Sequence, residues 1–107
     1  MKNKEFLIAL SDCAKACNHC ADACLDEKEI DKMVSCIRQD RICAEVCQAL
    51  HNILLVSAAN ADRLVEYCRE VCKSCADECD QHENDHCKDC ARACRTCVKA
   101  CDAFLNS

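Results

Sequence analysis

Cysteine is the residue type through which this sequence has the greatest capacity for chemistry. The chain of 107 residues contains 16 cysteines, and most follow one another at alternating distances of three and four residues. That spacing places side chains on one face of an α-helix. The cysteines are Cys13, Cys17, Cys20, Cys24, Cys36, Cys43, Cys47, Cys68, Cys72, Cys75, Cys79, Cys87, Cys90, Cys94, Cys97 and Cys101. They predict rows of thiols along helices, with a sparser row in the segment that contains Cys36, Cys43 and Cys47.

Rows of thiols indicate binding of a soft metal, since thiolates select Cu(I), zinc or iron–sulfur clusters. Zinc prefers four tetrahedral ligands, so each site of four thiolates keeps a net negative charge that is costly to bury repeatedly. A Cu⁺ ion that replaces a thiol proton leaves the charge unchanged, and Cu(I) accepts two or three sulfurs. Pairs within one helix, such as Cys13 with Cys17, could therefore bind it. The spacing favours many low-coordinate Cu(I) sites.

Other interpretations of the cysteines stay open at the level of sequence. Thiols four residues apart on one helix point in parallel directions and pair poorly, although disulfides between helices are possible. A zinc-binding bundle is a further alternative, as is an iron–sulfur or thiol redox protein. The Cys87/Cys90 and Cys94/Cys97 spacings resemble those of ferredoxins, but ferredoxin ligands lie on loops and are followed by proline. Cysteine as a simple small hydrophobe does not explain so many on stripes.

Four residues other than cysteine could contribute ligand atoms. His82 and His86 lie four residues apart, and we expect them to act as auxiliary metal ligands. Asp40 takes the place of a thiol in the second stripe, where it either lies solvated at the edge near Arg41 or faces the thiols as a ligand. Met33 is a soft thioether that could serve as an auxiliary ligand or fill the core.

The thiol stripes must be positioned by helices, and the absence of glycine and proline argues for an almost continuously helical chain. The stripes and the breaks between them predict helices at about 3–25, 30–56, 61–81 and 85–105. Short connections between amphipathic helices predict an all-α, antiparallel up-down-up-down four-helix bundle with a cysteine-lined core. Residues 1–107 would form a single domain.

Antiparallel packing assigns different residues to the two ends of this predicted bundle. One end gathers an apolar plug, and the other gathers thiols, a thioether and two histidines. The expected plug consists of Phe6, Leu10, Leu50, Leu54, Leu64, Val65 and Phe104, and the opposite end contains Cys24, Met33, Cys36, Cys79, His82, His86 and Cys87. The sequence therefore predicts a thiol-lined tube that is closed at one end and has a histidine rim at the other.

Composition and missing motifs argue against several classes of function. The net charge of −5 and the few aromatic residues, Phe6, Tyr67 and Phe104, argue against nucleic-acid binding. No apolar run is long enough for a membrane span or a signal peptide. We therefore expect a cytoplasmic protein with reduced thiols and no membrane partner. The sequence contains no phosphate-binding loop and no motif of a nucleophile with its base, so we do not expect an enzyme.

The chain resembles, over essentially its whole length, the bacterial copper storage proteins that form cysteine-rich four-helix bundles. The repeated Cys-xxx-Cys pairs carry the resemblance, together with the segment from His82 to Cys97, which reads HENDHCKDCARACRTC. The resemblance implies a homotetramer of bundles whose cores hold many Cu(I) ions on thiolates, with copper entering at the histidine rim. The missing leader makes the chain similar to the cytosolic branch.

These observations together predict cytosolic storage and buffering of many Cu(I) ions by the 16 thiols. A zinc-binding or iron–sulfur/thiol redox bundle is the alternative. Copper ions and further copies of the chain are the expected partners, and no pattern identifies the donor or acceptor of copper.

Overall fold

The computed structural model describes residues 3–107, and these residues form four α-helices and no strand. The helices are α1 (Lys4–Cys24), α2 (Val34–Val56), α3 (Asp62–Cys79) and α4 (Asp85–Leu105). Both α1 and α3 pack against α2 and α4, so the four helices close a ring. The molecule measures 45 × 20 × 19 Å. The predicted all-α four-helix bundle is confirmed, while residues 1 and 2 of the predicted domain lie outside the described part.

Two helix boundaries differ from those expected from the stripes. The segment Ile30–Met33, expected to start the second α-helix, is a short 3-10 helix, and the Lys32 N–H donates to the Glu29 carbonyl at 2.9 Å. After Cys79 the chain tightens in the same way, as the His82 N–H donates to the Cys79 carbonyl at 3.1 Å. Bonds between residues three apart tighten the backbone relative to an α-helix. Both tightened segments lie at the end of the bundle that contains His82 and His86.

The connection between α2 and α3 turns without glycine. Asn60 supplies the left-handed conformation there, with φ of 63°, which asparagine tolerates better than most residues. The Ala59 N–H donates to the Ser57 hydroxyl oxygen at 3.1 Å. This short turn holds the start of α3 beside the end of α2.

An apolar plug of conventional side chains closes the end of the bundle at which α1 begins. The rings of Phe6 and Phe104 lie 5.4 Å apart between centroids and are inclined at 43°, so the start of α1 lies beside the end of α4. Leu10, Leu50 and Val65 are completely buried in the same core. The plug supplies much of the aliphatic and aromatic packing, which leaves the rest of the interior to cysteine. No helix within residues 3–107 has the length and apolarity needed to cross a membrane.

Candidate metal centre

All 16 cysteine side chains are completely buried, and all are free thiols. They come from all four helices, because the three-and-four spacing directs each row of thiols to the axis of the bundle. The disulfides that the sequence left open are therefore absent from residues 3–107. Most of the sulfur atoms are instead close to one another without being bonded, and they form two groups.

The larger group, which we name the deep thiol network, lies toward the apolar plug. Neighbouring Sγ atoms in it are 3.6 to 4.0 Å apart, and the shortest separation joins Cys47 to Cys72. Cys97 extends it, because its sulfur and those of Cys13, Cys47 and Cys72 lie within 4.8 Å of one another. The members joined by direct sulfur contacts are Cys13, Cys17, Cys43, Cys47, Cys68, Cys72, Cys75, Cys90 and Cys94.

The smaller group, the mouth thiol network, lies where α1 ends and α4 begins. Its sulfur atoms are 3.8 to 4.0 Å from their neighbours. The Nδ1 atom of His86 faces this group at 3.4 Å from Cys20, 3.5 Å from Cys87 and 4.0 Å from Cys24. The members of the mouth thiol network are Cys20, Cys24, Cys36, Cys79 and Cys87.

Asp40 lies between the two networks and is completely buried, so the solvated position that the sequence allowed is excluded. Its Oδ1 atom accepts from the thiols of Cys75 and Cys90, both at 3.2 Å. Two members of the mouth thiol network also contact this carboxyl, with Cys79 at 3.6 Å from Oδ1 and Cys36 at 3.8 Å from Oδ2. The carboxyl therefore connects the two networks, in the interior of the tube.

Three buried groups of the centre hold their protons strongly. Burial raises the pKa of the Asp40 carboxyl to about 10, and the charge of the nearby Cys90 adds to this rise. Burial likewise raises the pKa of the Cys24 thiol to about 12, and it raises the pKa of Cys87. A low-dielectric interior disfavours the charged form of each of these acids. A metal that binds here must therefore displace protons.

The two histidines of the predicted rim have different surroundings. The Nε2 atom of His86 lies 2.8 Å from Glu27 Oε2, while its Nδ1 atom faces the thiols. In His82, Nε2 lies 2.8 Å from Glu78 Oε2. His82 lines a surface cleft of about 610 Å³ together with Met33, whose side chain is otherwise buried. The structure thus brings His86 to the thiols and places His82 and Met33 beside the cleft.

Glu27 and Glu78 are part of the site, although the thiol stripes do not reveal them. Glu27 lies in the turn after α1, outside any helical repeat, so only the tertiary structure brings it to His86. Glu78 precedes His82 by four residues on the sequence, and that spacing was the available signal for their contact. A carboxylate that accepts from one ring nitrogen leaves the lone pair of the other nitrogen free to bind a metal. Glu27 would orient His86 toward the thiols in this way.

The arrangement offers many soft ligand atoms at separations that a metal ion can bridge. Besides the quartet with Cys97, quartets with ligand atoms within 4.8 Å of one another include Cys13/Cys17/Cys43/Cys94, Cys17/Cys75/Cys90/Cys94, Cys20/Asp40/Cys79/Cys90 and Cys20/Cys24/His86/Cys87. Several quartets share members, so adjacent metal ions would share bridging thiolates. This is the geometry of a polynuclear cluster rather than of separate mononuclear sites.

Comparison with known proteins gives a consistent result across sequence and structure. A family model described as Csp, copper storage protein, matches residues 1–106. The uncharacterized cysteine-rich protein YhjQ of Bacillus subtilis is 39% identical over 93 residues, which cover 87% of this chain and 86% of that protein.

Solved structures with the same arrangement of helices include two copper-loaded proteins. One is a cytosolic copper storage protein from Streptomyces lividans with five coppers, 37% identical with a TM-score of 0.91 over 95% of this chain and 90% of that one. The other is the Cu(I)-bound copper storage protein BsCsp3, 34% identical with a TM-score of 0.93 over 98% and 99% of the two chains.

Proposed function

We propose that this chain, which belongs to the copper storage protein family, stores and buffers many Cu(I) ions as thiolate complexes inside its four-helix bundle. The observation that carries the proposal is the continuity of the buried sulfur. All 16 thiols are free and inaccessible to solvent, and most stand within 4.0 Å of another. Two relatives of known structure, described as loaded with five coppers and as Cu(I)-bound, support the same metal for this chain.

Charge balance explains why Cu(I) suits this interior. Each thiol that exchanges its proton for Cu⁺ keeps the same net charge, so filling the tube adds no buried charge that lacks a counter-ion. Soft thiolates also match the softness of Cu(I). Bridging by shared sulfurs lets the number of ions approach the number of thiols. All 16 cysteines are therefore proposed as ligands.

Copper is proposed to enter at the mouth thiol network. His86 reaches from the surface to Cys20 and Cys87, and it retains a side-chain exposure of 13%. His82 and Met33 flank the adjoining cleft and would serve as auxiliary ligands during entry. Asp40 would pass ions from the mouth thiol network to the deep thiol network as an additional oxygen ligand.

The compartment and the oligomeric state of the chain are proposed from its relatives. We place it in the cytoplasm, as the Streptomyces relative is described, and as a homo-oligomer, a tetramer by resemblance to the family. Exposed apolar side chains, among them Ile53, Leu55 and Val56, provide area that a second copy could cover. Storage requires no catalysis, and residues 1–107 would act as a single domain.

Anaerobic titration of the reduced protein with Cu(I), in competition with a chromophoric Cu(I) chelator, tests the storage function. We expect saturation only after many ions per chain, with about one proton released for each copper bound. A plateau at one or two ions would refute storage. The reduced, copper-free protein should stay helical by circular dichroism, since the apolar plug does not depend on metal, and light scattering would give the oligomeric state.

A further inference from the structure

We infer that the entrance of the tube contains a specific site for one zinc ion, formed by the thiolates of Cys20, Cys24 and Cys87 and by Nδ1 of His86. This site is distinct in metal and stoichiometry from the copper store proposed above, and it does not depend on that proposal. The ligand class is a borderline-soft divalent cation that prefers tetrahedral coordination by sulfur and nitrogen.

The geometry of the four ligand atoms carries the inference. Zn–S bonds of about 2.3 Å and Zn–N bonds of about 2.0 Å give a tetrahedron with edges of about 3.8 Å between sulfurs and about 3.5 Å between sulfur and nitrogen. The Cys20 sulfur lies 3.8 Å from Cys87 and 4.0 Å from Cys24. The His86 nitrogen lies 3.4, 3.5 and 4.0 Å from the sulfurs of Cys20, Cys87 and Cys24. All four atoms lie within 4.8 Å of one another.

Charge distinguishes this quartet from those deeper in the bundle. Three thiolates, a neutral imidazole and Zn²⁺ leave a net charge of about −1, whereas four thiolates and Zn²⁺ leave about −2. The deep quartets consist of fully buried cysteines, where an uncompensated charge is most costly. The entrance quartet includes the partly exposed His86. It is therefore the place at which the bundle best tolerates a divalent ion.

The second ring nitrogen of His86 supplies an independent indication. Its Nε2 atom lies 2.8 Å from Glu27 Oε2, so the ring can donate its proton to this carboxylate and turn the Nδ1 lone pair toward the three sulfurs. Histidine ligands of zinc commonly donate to a carboxylate in this way, which fixes the tautomer and strengthens the metal bond. Glu27 is a positioning residue in this arrangement, since it acts through His86.

The test is titration of the reduced, metal-free full-length protein with Co²⁺ as a spectroscopic probe, followed by displacement with Zn²⁺. We expect one tight equivalent per chain, with the visible absorption of tetrahedral thiolate-bound cobalt. X-ray absorption of the protein with one equivalent of zinc should show three sulfur ligands and one nitrogen ligand. A shell of four sulfurs would overturn the inference, as would continued uptake of several equivalents with equal affinity.

Control variants of exposed side chains separate ligation from a general effect on this end of the bundle. His86→Ala should weaken zinc binding at least about tenfold, and Glu27→Ala about 10- to 100-fold. His19→Ala and Asp22→Ala, which alter exposed side chains of α1, should leave the zinc affinity unchanged. Equal losses in both sets would refute the site. Circular dichroism checks that each variant folds, and His86→Gln replaces His86→Ala if the smaller side chain disrupts the helix end. Copper capacity measured separately would remain high even if zinc failed to bind, so the two proposals can fail independently.

Discussion

Asp40→Asn changes the carboxyl that joins the two thiol networks into a neutral amide of almost the same shape. Burial raises the pKa of Asp40 from 3.8 to about 10 in the folded protein. Because the folded state holds this proton more tightly than the unfolded state, the resulting stabilisation is fully present below the unfolded pKa and is lost as the pH rises through the folded pKa. The asparagine variant lacks this dependence.

The size of the effect follows from proton linkage. Between the two pKa values, the unfolding free energy of the wild type should fall by about 1.4 kcal/mol per pH unit because of Asp40. From about pH 5 to about pH 7, the unfolding free energy of Asp40→Asn should therefore rise by about 3 kcal/mol relative to that of the wild type. The two proteins differ only at this side chain, so contributions shared by both largely cancel in the difference, which isolates the carboxyl.

Urea unfolding of the reduced, metal-free proteins, followed by far-ultraviolet circular dichroism under anaerobic conditions, measures this gap. Asp22→Asn is the matched control, since Asp22 lies exposed on α1 and should give a curve parallel to that of the wild type. A stability difference between Asp40→Asn and the wild type that stays constant with pH would refute the reasoning. It would mean that the thiol donors around Asp40 stabilise the ionised carboxylate and offset the cost of its burial.

Further predictions concern the plug, the thiols, the surface and the pH dependence of copper binding. Leu10→Ala should lower the unfolding free energy by about 2 to 5 kcal/mol without changing the copper capacity, which urea unfolding and Cu(I) titration together check. Cys72→Ala should lower the saturating copper number, because Cys72 contacts several neighbouring thiols. An unchanged copper number would contradict its role as a ligand. Arg69→Ala, which removes a partly exposed ion pair with Asp102, should leave the midpoint of urea unfolding almost unchanged. The apparent Cu(I) affinity should rise with pH, since copper displaces protons from thiols such as Cys24, whose pKa burial raises to about 12; chelator competition at several pH values would show a flat profile if the thiols were already ionised.

The sequence alone determined the fold class and the class of metal, for reasons that can be traced to particular residues. The three-and-four spacing of residues such as Cys87, Cys90 and Cys94 has the period of an α-helix and of no other regular structure, so the thiol face was readable without coordinates. The absence of glycine and proline limited the chain to helices with short turns. The softness of sulfur then indicated the class of metal. None of these inferences requires knowledge of which helix neighbours which.

Only the tertiary structure decided how the polar groups relate to the sulfur. From the sequence, Asp40 could face either solvent or the thiols, because the helical stripe does not show which helices pack against that face. In the folded bundle Asp40 is completely buried. His82 and His86 appear equivalent in sequence, yet within residues 3–107 only His86 has a ring nitrogen in contact with thiols. Its partner Glu27 lies 59 residues away along the chain. Such a long-range contact has no periodic signal, since it depends on how α1 and α4 meet rather than on the repeat within either helix.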